Sequence, residues 1–238
     1  MLKLLFLLVL FSEVSQLRSE NEESYDTETA QEYVSHELFP LEWFSILQLF
    51  TIFGSLSLIS LSIVFIVYLV IPELNSLHGK IVLSNVVSTA LLTSFFLVVF
   101  NISPVEHYLC KILGYFGYFS SMTMFLWTTI MSFDLCSTLL GYLPHANRYM
   151  LYSAIGWGTG LVLSMVIFCL ENHLPSHSHF HAGIGDTSCF INTAGNKMLF
   201  LFHIPVLVMM MLNISFFITI IIFNTKANQK LKYLSSKR

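Results

Sequence analysis

Few side chains in this sequence can do chemistry, and most of them stand at the edges of long uncharged runs. Asp134 closes the run Ile112–Phe133, and Cys110 and Lys111 open it. His173, His177, His179 and His181 crowd into the stretch Glu171–Lys197, which also holds Cys189. Imidazoles at that spacing can collect Zn or Cu, two exported thiols can close a disulfide, and one carboxylate near bases can form an ion pair. No carboxylate cage, cysteine pattern or second histidine box accompanies the four histidines, so an exposed polar loop is the plainer reading and no metal is assigned. A glycine-rich phosphate loop, a nucleophile motif and paired catalytic acids are all missing from the sequence. It therefore argues against an enzyme, implies no cofactor and points away from nucleic acid.

The elements that must position these residues are membrane spans. Hydrophobic residues make up 55% of the 238 and charged ones 11%, a balance that a soluble domain of this length does not have. Five charge-free windows follow one another: Trp43–Pro72, Ile81–Val105, Ile112–Phe133, Tyr149–Leu170 and Met198–Thr225. Each is long enough to cross a hydrocarbon core of about 30 Å as a helix. Backbone amides in lipid must be satisfied internally, and nothing shows the alternation of a barrel, so the expected fold is an all-α membrane protein of five transmembrane helices. Gly54, Gly117, Gly156, Gly158 and Gly160 lie inside spans, where they allow close helix approach. Pro205 is expected to be tolerated near the start of the fifth span or to kink it.

The ends of the chain suggest its orientation. Residues 1–19, with Lys3 ahead of the apolar Leu4–Phe11, read as a signal peptide, which would place the mature N-terminus outside. Residues 20–42 carry eight acids and no base, and read as an acidic, disordered extracellular tail without a folded ectodomain. Residues 43–225 then form the bundle and 226–238 a basic cytosolic tail. Lys80, Arg148 and the tail bases Lys226, Lys230, Lys232, Lys237 and Arg238 all fall on the cytosolic side in this arrangement, as the positive-inside rule asks. The protein is thus expected in the lipid membrane as a multi-pass plasma-membrane chain.

Topology also sorts the cysteines. Cys110 and Cys189 both face the oxidising side and are expected to form a disulfide, the alternative being two free thiols. Cys136 falls near the cytosolic face and Cys169 near the outer end of the fourth span. Asp134 lies 24 residues after Cys110, about 36 Å of helix, and so reaches the inner interface.

Five segments in order carry a resemblance: Leu77-His78-Gly79-Lys80, FLWTTIMSFDLCSTL ending the third span, YSAIGWGTG in the fourth, GIGDTSCFI in the loop, and FHIPVLVMMMLNISFFITIIIF in the fifth. Together, over Pro72–Asn224, they resemble the Methuselah-like branch of the seven-helix G-protein-coupled receptors, related to the secretin (class B) group. The resemblance implies a receptor bundle in which Cys110 and Cys189 form the disulfide between helix three and the second outer loop. It places His78 at the inner end of helix two, Trp157 at the helix-four tryptophan and Asn213 at a polar position of helix five. Aligning Trp127 with the secretin-type tryptophan puts that group's helix-three glutamate on Met131, with Asp134 about one turn later. A lock between Asp134 and His78 or Arg148 is one reading of that acid; an interfacial anchor is the other.

Family members have a cysteine-rich ectodomain and seven helices, whereas this sequence reads as a bundle truncated after helix five. The expected function is transmembrane signalling as a receptor, in a fragment or short form, with an unknown extracellular ligand. A heterotrimeric G protein would be its partner once helices six and seven complete the bundle. The alternative is a five-span interaction protein that pairs with full-length receptors in an oligomer and modulates them. A transporter is the least favoured reading, because no span holds paired acids.

Overall fold

A computed structural model of the chain describes residues 33–101, 107–141, 148–175, 178, 181–185, 189–191 and 199–236. The signal-peptide reading of residues 1–19 and most of the acidic tail lie outside them. Every regular element among the described residues is helical. α1 is Tyr33–Val70, followed by a 3-10 turn at Pro72–Leu74; α2 is Leu77–Asn101, α3 His107–Leu140 and α4 Arg148–His173. A π-helical turn at Leu199–His203 leads into α5, Ile204–Ser236. All five are long and apolar enough to cross a membrane. Hydrocarbon offers no partner to a free N–H or C=O, so the chain satisfies its backbone within each segment.

The helices overrun the charge-free windows at several ends. α1 begins at Tyr33, so residues 33–42, expected to be disordered, continue the helix of the span. Adding a residue to an existing helix forms a hydrogen bond without a new nucleation cost, and the ladder need not stop where charge begins. α3 runs on past Asp134 to Leu140, and α5 takes in most of the basic segment, as far as Ser236.

α3 is the axis of the bundle. It packs against α2, α4 and α5, whereas α1 packs chiefly on α2 among the described residues. In the span of α3 44% of the most apolar window is buried, against none in α1. The buried face of α3 is polar as well as apolar, carrying Ser120, Ser121 and Thr123 among Tyr118, Met122, Met124, Phe125 and Trp127. Ser120 and Ser121 donate back to the carbonyls of Phe116 and Gly117, each at 2.7 Å, which removes the cost of burying a hydroxyl. Small residues set the helix spacing: a Cβ on Gly54 would stand 2.9 Å from Leu97, and one on Gly156 2.7 Å from the Trp127 indole. Gly117 and Gly160 are filled in the same way by Phe95 and Thr123, but Gly158 faces open space and sets no contact.

Pro205 opens the fifth span, as the sequence suggested, and its effect is local. Proline has no N–H to give the carbonyl four residues back, here Leu201. Tyr118 Oη donates to that carbonyl from α3 at 3.1 Å, and the chain takes the wider π turn just before the proline. Leu201 and Tyr118 are both buried, so the carbonyl has no water to turn to. Tyr118→Phe should lower stability by about 1–3 kcal/mol, the cost of a buried unsatisfied acceptor. The Tyr118→Phe, Pro205→Ala pair should recover much of that loss, because an alanine in place of the proline restores the N–H. Denaturant titration in detergent micelles by circular dichroism checks both expectations.

Candidate functional site

The polar groups gather at the end of the bundle where α2 begins and α3 ends. Ser76 starts the geometry: its Oγ accepts from Gly79 N at 3.2 Å, an N-cap that fixes the first turn of α2. A Cβ on Gly79 would collide with the Leu74 carbonyl, so only glycine lets α2 start so close to the 3-10 turn. His78 is thereby held beside α3, with Nδ1 3.6 Å from Asp134 Oδ2. Arg148, the first residue of α4, brings a guanidinium nitrogen to 4.0 Å from Asp134 Oδ1. One turn along α4, Tyr152 Oη donates to the same Oδ1 at 3.3 Å.

Asp134 is 3% exposed. That burial calls for the contacts around it, since a buried carboxylate persists only with compensating charge and hydrogen bonds. The partners are unequal. The His78 side chain is 52% exposed, so water screens its share, whereas the Arg148 side chain is 10% exposed and is screened less. Lys80, over the Tyr149 ring at 5.9 Å from its centroid, adds a second cation to this end of the bundle.

Three further polar contacts tie the helices together beyond the carboxylate. Thr128 Oγ1 donates to Asn85 Oδ1 at 3.2 Å, Asn213 Nδ2 donates to Thr129 Oγ1 at 3.0 Å, and Ser84 and Tyr149 share a hydrogen bond of 3.1 Å. Thr128 and Thr129 are adjacent in sequence, yet they reach opposite neighbours, α2 and α5, because consecutive helical residues point about 100° apart. Asn213 also donates to the Met209 carbonyl, so both amide hydrogens are used. Trp127 is fully buried and packs edge-on against Trp157 with ring centroids 5.9 Å apart; Trp157 is half-buried and also meets Phe119.

The other end of the bundle is covalent. Cys110, in the first turn of α3, is bonded to Cys189 across 79 residues of sequence. Cys136 is buried and Cys169 exposed, both as free thiols. His181 Nε2 stands 3.9 Å from Glu171 Oε1, while His173 is exposed at the end of α4. His177 and His179 lie outside the described residues. Among the described residues no three His, Cys, Asp or Glu side chains come close enough to share a metal ion.

His78, Arg148 and Asp134, which the sequence reading had considered as partners, meet in one cluster; Asn213 and Trp157 sit one to two helical turns away in contact with α3 instead. Tyr152 was missed. Its position four residues after Arg148 would have put it on the same face of α4, but that is informative only once α4 is known to begin at Arg148. The Ser76 cap was also missed, although Ser followed three residues later by Gly at a span entry marks it.

Five apolar helices around a central one that is disulfide-bonded at one end and ion-paired at the other define a multi-pass membrane protein. Residues 44–238 match the model of the seven-transmembrane receptors of the secretin family. The chain belongs to that family, in its Methuselah-like branch, and is a multi-pass plasma-membrane protein. It is 31% identical over 177 residues to a probable G-protein coupled receptor, Mth-like 11 of Drosophila melanogaster, covering 68% of this chain and 33% of that one. Mth-like 4 of the same organism is 28% identical over 184 residues, with coverage of 74% and 35%. The G-protein coupled receptor Mth, again from Drosophila melanogaster, is 27% identical over 169 residues, with coverage of 68% and 32%. The chain spans about a third of the length of these curated relatives.

Removing the carboxylate should cost more than neutralising it. Asp134→Ala, which takes away both the charge and the Tyr152 acceptor, is expected to lower stability by about 3–5 kcal/mol. Asp134→Asn keeps an acceptor for Tyr152 and should lose less. Thermal unfolding of the two variants in detergent, monitored by Trp fluorescence, checks the order.

Proposed function

We propose that this bundle is the signalling part of a receptor that couples to a heterotrimeric G protein, with the Asp134 end in the cytosol and the disulfide end outside. The orientation is supported by the bases: Lys80, Arg148 and Lys226 gather at the Asp134 end, and the disulfide needs an oxidising compartment at the other. The observation that carries the functional reading is the burial of Asp134 among groups from two other helices. A charge cluster joining the cytosolic ends of α2, α3 and α4 is a two-state element. Intact, it holds the three ends together; broken, it leaves a buried charge that favours rearrangement.

The cluster is the resting lock in this reading, and an extracellular ligand would bias it through α3. The ligand acts where the chain faces outside, at the disulfide-bonded loop and the helix ends beside it. The carboxylate serves as an electrostatic clamp and not as a proton donor in a reaction.

The test is agonist-independent signalling in cells expressing the receptor. Asp134→Asn should raise basal second-messenger output several-fold at equal surface level, and His78→Ala should do so less, because His78 is screened by water. Basal output and surface level both left at the parental value by Asp134→Asn would overturn the lock.

A further inference from the structure

A second acid is withdrawn from water far from the Asp134 cluster. Glu171 stands in the last turn of α4, and its side chain is 7% exposed. A carboxylate so placed needs a counter-charge or hydrogen bonds. Among the described residues its one ion-pair contact is His181, whose Nε2 stands 3.9 Å from Glu171 Oε1. That gap is wider than a hydrogen bond of about 2.7–3.2 Å. The remaining two heteroatoms, Glu171 Oε2 and His181 Nδ1, are buried with no hydrogen-bond partner. Buried polar atoms left open in this way call for an explanation, and an ion is one of the few available.

Local backbone brings the two side chains together. Leu174 N–H donates to the Leu170 carbonyl at 3.0 Å, Ser178 N–H to that of Pro175 at 2.9 Å and His181 N–H to that of Ser178 at 3.2 Å. These bonds turn the chain back onto the end of α4, and Ala182, fully buried, holds its neighbour His181 there. Cys169 and His173 are exposed, one helical turn apart, on a face that Glu171, about 200° around the helix from Cys169, does not share. The donor set is thus one carboxylate and one imidazole without a thiolate. Ca2+ and Mg2+ take oxygen ligands, whereas Zn2+ accepts this mixture. Zn–N of about 2.0–2.1 Å and Zn–O of about 2.0–2.2 Å add up to slightly more than the gap, so an ion fits between the two atoms with a bent angle. The carbonyl end of α4 also favours a cation.

We propose that Glu171 and His181 form a Zn2+ site at the disulfide end of the bundle, with water filling the other coordination positions. Two protein ligands are fewer than the four of a structural zinc site, so this ion exchanges with the solution and is not a permanent part of the fold. No other hydrogen bond holds either side chain, and both can turn toward the metal. The ion supplies the charge that Glu171 lacks and ties the end of α4 to the residues entering Ala182. The site is independent of the Asp134 cluster and of which face of the membrane either end occupies.

Calorimetric titration of zinc chloride into the full chain, purified in detergent without a histidine tag and freed of metal, tests this. The parent should take up a single equivalent of Zn2+ and unfold at a higher temperature when the ion is present, while Mg2+ and Ca2+ do neither. Glu171→Gln and His181→Ala should each weaken binding by about tenfold or more and abolish the thermal shift, since even the loss of a group behind a metal ligand costs that much. His173→Ala and Cys169→Ala should bind as the parent does. Gel filtration and non-reducing gels confirm folding and the Cys110–Cys189 bond, and Glu171→Ala or His181→Gln replaces any variant that fails them under the same criterion. No zinc uptake by the parent, or parental affinity in both ligand variants, would overturn the site. Binding lost in His173→Ala, or in a His177→Ala, His179→Ala double variant, but kept in His181→Ala would also overturn it, because the metal would then be collected by the other histidines.

Discussion

Hydrocarbon supplies no hydrogen-bond partner and no counter-charge, and the structure follows from how the chain meets that condition along α3. Backbone groups are satisfied within each helix. Several polar side chains of α3 are turned back on their own carbonyls, as Ser120 and Ser121 are, or matched across to a neighbour, as Thr128, Thr129 and Asp134 are, while Thr123 Oγ1 and Trp127 Nε1 are buried without a hydrogen-bond partner. The carbonyl that Pro205 would have left open is met by Tyr118, also from α3. A helix that carries so many of the matching groups fixes where its neighbours stand. Apolar packing then fills the space but does not choose the partner, because lipid tails compete equally well for a leucine.

The two ends of this helix are held in different ways. One end is covalently joined to a loop whose apolar residues descend into the bundle, and the other holds a buried carboxylate facing His78 of α2 and the Arg148 guanidinium of α4. A covalent tie cannot respond to modest forces, whereas an ion pair assembled from three helices has an alternative arrangement within reach.

The sequence made much of this legible, for identifiable reasons. Charge-free windows revealed the spans because placing a charge in lipid is costly, and Cys110 and Cys189 were paired because topology put them on one side. Helix ends were less legible: Tyr33 and Ser236 lie far beyond the apolar windows, since a helix outside the membrane ends by local capping and not by hydropathy. The cluster around Asp134 was half visible. His78, Asp134 and Arg148 are ionisable groups at span edges and draw attention, but Tyr152 reads as one more aromatic until α4 fixes its face. The loop was the least legible part. GIGDTSCFI drew notice for its cysteine, while the burial of Ile184 depends on Gly114, some seventy residues away in the chain.

The central claim is that Asp134 is energetically bound to the cations around it and is not a solitary anchor at the interface. A double-mutant cycle of Asp134→Ala and Arg148→Ala, read as unfolding free energy in detergent, measures that coupling directly. The account predicts a coupling energy above about 1 kcal/mol, the range of residues in one polar network. Losses that simply add, to within about 0.3–0.5 kcal/mol, would contradict it.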